Sequence, residues 1–240
     1  RAERRTDQAA DTRELLRLRS HRAARPAFVP ARMSASLHAL LQHPGLWRGE
    51  ECARNVPALP SGFEALDRCL PGGGWPQGAL SELIAPLAGI GELALLMPAC
   101  ARLTRAGRWV IMVAPPHIPY APALAAAGLD LARLLLIRAE SDKEKLWALE
   151  QALKSAHCGA ALAWPDRIDD RSLRRLQLAC EQGGTSGFLS MQARAAAASS
   201  TAALRLALAP GEDGQLEIRI LKRRGGTLNR TLRIDVRAGA

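Results

Sequence analysis

Gly89 and Gly91 stand between two apolar runs, residues 80–85 and 93–96. An apolar strand, a glycine loop and an apolar helix form the setting of a phosphate loop. Its glycines let backbone N–H groups turn inward around an anion. A Lys reaches the β- and γ-phosphates, a Ser or Thr holds magnesium, and the helix N-terminus adds its dipole. Here the loop reads Ala85, Pro86, Leu87, Ala88, Gly89, Ile90, Gly91, Glu92. Ala85 stands at the first glycine's place. Ile90 follows Gly89 where Lys is expected, and Gly91 comes where the hydroxyl is expected. Glu92 then puts a negative charge where phosphate would sit. The reading is a degenerate phosphate loop with no cofactor, no metal and no catalytic residue. Arg105 and Arg108 are the nearby basic residues that would offset Glu92.

Other reactive residue types are scattered. His117 with Asp166 or Asp169 has no spacing that requires a catalytic pair. The five cysteines are odd in number and form no C-x-x-C pair, which argues against structural zinc and a disulfide framework and for a reducing cytoplasm. Net charge is +10, and such a basic surface attracts nucleic acid or acidic proteins. Arg167, Arg171, Arg174 and Arg175 form a basic stripe at a helix start. They suit phosphate or an acidic partner, or serve as a solvated face. The later loop 193–204 is Ala-rich, has Arg194 as its one charge and carries no aromatic. It has little with which to grip a strand, so any DNA contact is weak and non-specific. Trp109 and Trp164 lie in apolar runs and read as core. Trp147 reads as a half-exposed anchor. Trp47, beside charges, is the best single interface candidate.

The elements that must position these residues alternate from residue 79 onward. Strand-like runs cover 79–85, 108–114, 133–139, 159–164 and 187–192, with helical segments at 91–106, 120–127, 142–156 and 170–182. The strands are continuous apolar runs, as in a parallel sheet covered on both faces. Three shorter runs at 202–210, 214–224 and 229–236 read as an antiparallel extension. The fold expected is therefore α/β, doubly wound and mainly parallel, with an antiparallel C-terminal extension. Before it, Ser61 is expected to cap a helical turn with Phe63, Leu66 and Leu70 on one face. No run of apolar residues is long enough for a membrane span.

The N-terminal region divides in two. Residues 1–32 hold nine Arg and two prolines and precede Met33, and they read as a disordered or mis-assigned arm. Residues 33–58 read as a short helix and linker, with Leu37, Leu40 and Leu41 on the helix's apolar face. Residues 59–237 then form the core domain.

The stretch 59–115, "LPSGFEALDRCLPGGGWPQGALSELIAPLAGIGELALLMPACARLTRAGRWVIMVAP", resembles the front half of a RecA core, and the resemblance runs through 59–224. Within it the chain is similar to the ImuA subfamily, which is RecA-like and SulA-related. "LHALLQHPGLWRGEE" is also similar to that subfamily's opening. The family's second strand is followed by a water-orienting acid, but here Pro115, Pro116 and His117 follow. The family's fourth strand ends in a magnesium-supporting Asp, but Trp164 stands there and Asp166 falls two residues later. Gln192 matches the family's γ-phosphate sensor, or is a polar residue at a strand end. Lys222 and Arg224 resemble its subunit-bridging basic pair.

The resemblance implies a non-catalytic adaptor in SOS-induced translesion DNA synthesis. Its partners would be an ImuB-type polymerase homologue, an error-prone DnaE-type polymerase and RecA. Leu37, Leu40, Leu41 and Trp47 would dock on a partner. Two other functions are implied as alternatives: a SulA-like inhibitor of a tubulin-like cell-division protein, and a cryptic DNA-dependent ATPase.

Overall fold

The computed structural model describes residues 56–197, 199–224 and 230–237. The chain enters through β1 (Ala58–Leu59), a short helix α1 (Glu64–Asp67) and β2 (Trp75–Pro76), which pairs antiparallel with β1. The strands of the main sheet follow as β3 (Leu80–Ala85), β4 (Trp109–Val113), β5 (Leu134–Ile137), β6 (Cys158–Ala163), β7 (Ser186–Gln192), β8 (Leu204–Pro210), β9 (Leu216–Lys222) and β10 (Thr231–Ile234). Between them lie α2 (Glu92–Arg105), α3 (Ala121–Ala126), α4 (Asp142–Lys154) and α5 (Asp170–Gly183). The order across the sheet is β10-β9-β8-β3-β7-β6-β4-β5.

All six residues of β3 and of β6 are buried, as central strands covered on both faces must be. Alternate residues feed two core layers. Leu83, Val110, Met112, Leu162 and Phe188 pack with α2. Ile84, Ile111, Val113, Ala161 and Leu189 pack with α4 and α5. With aromatics scarce, the one ring pair among the described residues is Trp75 on Phe188, edge-on at 5.3 Å.

The structure shifts two sequence expectations. β8 pairs parallel with β3, and antiparallel pairing begins only between β8 and β9. The segment 193–203 leaves enough chain to cross over before β8 starts, so β8 need not form a hairpin with β7. Ser61 also does not cap α1. Its Oγ accepts from Phe63 N–H at 3.1 Å, and the position before α1 is Phe63, which makes no side-chain cap. Asp67 accepts from the Ser61 N–H instead. Gly62, at φ +91°, lies against α2, and a Cβ there would come 2.4 Å from Pro98 Cβ. Glycine is what this close approach requires.

Four cysteines, Cys69, Cys100, Cys158 and Cys180, are free and buried. Burial pushes the Cys100, Cys158 and Cys180 thiols up to about 12, so they behave as inert core residues. Among the described residues no helix is long and apolar enough to cross a membrane.

Candidate functional site

β3 delivers the chain to residues 86–91, and α2 begins at Glu92. Gly89 and Gly91 both hold left-handed φ, +82° and +113°, and they turn the loop over the helix start. No side chain caps α2 from the Gly91 position. The first residue of the helix turns back onto the loop: Glu92 Oε1 accepts the Gly89 N–H at 2.7 Å. Glu92 is only 6% exposed, and its Oε2 is buried without a hydrogen-bond partner. The carboxylate therefore occupies the place of an anion at a loop amide and a helix N-terminus. An incoming phosphate about 4 Å away would meet roughly 4 kcal/mol of repulsion per unit charge at an effective dielectric near 20.

The helix start also corrects the loop's register. A phosphate loop places four residues between its two glycines, then Lys and Ser or Thr at the opening of the helix. Counted from Ala85, Ile90 takes the second glycine's place, Gly91 the Lys place and Glu92 the hydroxyl place. The expectation that Ile90 replaces the Lys was one residue early, because Gly89 drew the count forward. Ile90 is half-buried against the α2-side core. A Cβ at Gly91 would come 3.1 Å from Val236 Cγ2.

Gln192 lies opposite Ala85 in the β3–β7 register and is exposed, beside the loop's origin. Trp164 follows β6, packs half-buried on the α2-side core, and lines one space with Glu92, Phe188 and Ser190. That space is about 10 Å³, about one water. Asp166 is displaced outward, where it pairs with Lys145 at 3.6 Å. After β4, Ala114 is held at φ +45°, and its N–H donates to Ile137 O at 2.7 Å. No carboxylate follows in 115–120. Arg105 and Arg108 do not offset Glu92. They lie at the other end of a helix about 20 Å long, where Arg108 donates to Cys158 O at 2.7 Å.

Arg171, Arg174 and Arg175 share the exposed side of α5, and Arg167 precedes it, also exposed. Arg175 is engaged by Glu150 at 2.7 Å. Lys222 and Arg224 do not join them. Lys222 ends β9, beyond β8, and its Nζ donates to Ser200 O at 2.6 Å. His117 is exposed in the loop after β4, and Asp169 caps α5 by accepting the Ser172 N–H at 2.6 Å. Leu37, Leu40, Leu41 and Trp47 lie outside the described residues.

The sequence reading missed a buried ion pair. Arg205 Nε meets Glu82 Oε2 at 2.6 Å, with both side chains under a tenth exposed. Ser200 Oγ donates to the other Glu82 oxygen, and Arg205 Nη2 donates to Ala195 O at 2.6 Å. Two opposite charges inside the apolar runs "LSELIA" and "LRLALA" were the signal, since lone buried charges are costly. The pair ties segment 193–203 to the loop strand.

The chain matches the family model described as cell division inhibitor SulA over residues 80–187. It is 37% identical over 139 residues to the protein ImuA of Caulobacter vibrioides, covering 56% of this chain and 57% of that one. It is 30% identical over 98 residues to the cell division inhibitor SulA of Edwardsiella piscicida, covering 40% and 58%. It is 28% identical over 108 residues to RecA of Picosynechococcus, covering 45% and 30%. The chain thus spans somewhat more than half the length of the ImuA and SulA relatives it matches.

Proposed function

We propose, from the premise that this chain is an ImuA-type relative of SulA and RecA, that it binds partners on a doubly wound RecA-like core without hydrolysing nucleotide. Its role on this reading is that of an adaptor in SOS-induced translesion synthesis. It joins an ImuB-type polymerase homologue, an error-prone DnaE-type polymerase and RecA. The observation that carries the reading is the Glu92 carboxylate on the Gly89 amide. A loop closed by its own carboxylate leaves the sheet as a scaffold and its surfaces as the working parts.

Two surfaces serve that role. β5 ends the sheet and exposes Leu135 and Leu136, and the loop before α3 exposes Ile118 and Tyr120. An apolar strand edge invites pairing with another chain. Leu37, Leu40, Leu41 and Trp47 supply the complementary anchor, a head-to-tail arrangement of the heterologous kind. Trp47→Ala should weaken partner binding by about 1–3 kcal/mol and leave the melting temperature within a few degrees. A variant that binds normally but melts early would put Trp47 in the core and end this assignment.

The decisive experiment is calorimetry with Mg-ATP and a phosphate-release assay, with and without single-stranded DNA and RecA. Neither should detect binding or turnover. Micromolar binding by the unaltered protein, lost in Gly89→Asp, would overturn the reading. A second reading has a specific observation in its favour, the SulA family match over 80–187. It makes the chain an inhibitor of a tubulin-like division protein. Co-purification against that protein, RecA and the polymerase homologue separates the two readings.

A further inference from the structure

α4 and α5 lie side by side over one face of the sheet, each connecting two parallel strands, so they run in the same direction. Glu150 joins them. Its Oε1 accepts from Lys154 Nζ and its Oε2 from Arg175 Nε, each at 2.7 Å. Trp147 lies one turn before Glu150 on the same side of α4, and Arg171 one turn before Arg175 on α5. A Cβ on Gly183 would meet the Leu153 carbonyl oxygen at 2.0 Å, so the end of α5 stands level with the end of α4. Counted back one residue at a time from that contact, the turn of Trp147 stands level with the turn of Leu176 to Leu178. Trp147 is 63% exposed and Leu178 64%. The outer face of the two helices therefore carries two exposed large apolar side chains at about the same level, with Lys143 about one turn before Trp147 and Arg174 one turn before Leu178.

Most acids of this layer are already engaged. Glu144 closes the α4 cap with Ser141, and Asp169 caps α5 through the Ser172 N–H. Lys145 holds Asp142 and Asp166, and Gln177 donates to Glu181. Lys143, Arg171 and Arg174 have no ion pair among the described residues, and all three are exposed.

We infer that the α4–α5 face docks a short acidic protein segment bearing a bulky apolar residue. The apolar residue covers Trp147 or Leu178, and carboxylates meet Arg171, Arg174 and Lys143 in charge-assisted hydrogen bonds. Charge arithmetic favours a peptide over nucleic acid. Residues 142–183 hold seven Lys and Arg against seven Asp and Glu. The layer thus has no net positive field to draw a polyanion, whose binding rests on many phosphate contacts. Leu178 has no ring on which a base can stack. The inference rests on the reading of the chain as a binding protein and names a further surface for it, the outer face of α4 and α5.

The test uses the full chain alone, without RecA, polymerase or ATP, so its failure leaves the adaptor reading standing. Three fluorescein-labelled probes are titrated by anisotropy: a short Glu- and Leu-containing peptide, the same peptide with Lys for Glu, and a single-stranded oligonucleotide. The acidic peptide should bind best. Arg171→Glu/Arg174→Glu should weaken it at least tenfold, and Trp147→Ala and Leu178→Ser should each weaken it severalfold with melting temperature unchanged. If the double variant folds poorly, the two single apolar variants carry the test. No binding of the acidic peptide, binding indifferent to these changes, or preference for the oligonucleotide through the same arginines would each overturn the inference.

Discussion

Replacing Glu82 with leucine should destabilise the protein by about 3–5 kcal/mol, the usual cost of removing one partner from a buried pair. Arg205 would remain 7% exposed with its Nε facing a leucine. Ser200 Oγ would lose its acceptor, and segment 193–203 would lose one of its ties. The double variant Glu82→Leu/Arg205→Met should recover most of the loss, because a well-packed apolar pair often replaces a buried ion pair at little net cost. Urea denaturation of the two single variants and the double one measures the coupling directly. A loss below about 1 kcal/mol in Glu82→Leu would show that water reaches the pair. The Ala202 N–H, which donates to Ser200 Oγ at 3.1 Å, should exchange with solvent faster in Glu82→Leu than in the unaltered chain.

Rebuilding the phosphate loop should fail, and should cost stability. The variant Ile90→Gly/Gly91→Lys/Glu92→Thr restores the second glycine, the Lys and the hydroxyl at the places the helix start defines, leaving Ala85 at the first glycine's place. Gly91 sits at φ +113°, where a lysine costs about 1–3 kcal/mol in backbone strain, and its Cβ would press on Val236. Ile90 gives up a half-buried contact, and the Gly89 amide loses its carboxylate. Magnesium and the attacking water would still be unplaced, since Trp164 and Pro116 stand where acids are needed for phosphoryl transfer. Calorimetry should show no Mg-ATP binding below the millimolar range, and thermal melts should show a lower midpoint. Tight binding with turnover in this variant would mean the geometry is still that of a working nucleotide site and that only three side chains had changed.

The elements themselves were largely legible in the chain. α4 carries its own boundary, with Ser141 and Glu144 forming a reciprocal cap, and such caps act within a few residues. α5 opens on Asp169, whose side chain accepts the Ser172 N–H. The buried strands announced themselves as unbroken apolar runs. The absence of Lys from the loop needed only reading. Gly89, by contrast, misled the count. Which glycine governs the turn depends on where the helix begins, and that follows from Ile90 and Leu93 packing on the core.

Amino-acid order alone settled what acts over a few residues: periodicity, caps, turns and which side chains the loop carries. Tertiary contact settled the rest. β8 reads locally like its antiparallel neighbours, yet it lies parallel to β3, because pairing direction depends on the path of the crossover and not on the strand's composition. Glu82 and Arg205 are 123 residues apart, and each looks like an isolated charge in an apolar run until the sheet sets them side by side. The Glu92 carboxylate could face solvent or the loop, and the turn through Gly89 and Gly91 directs it inward. Local propensities specify the pieces, because their energies are decided within a turn or two. Long-range packing specifies which charges meet and which edge is left open, because those depend on the order in which the strands assemble.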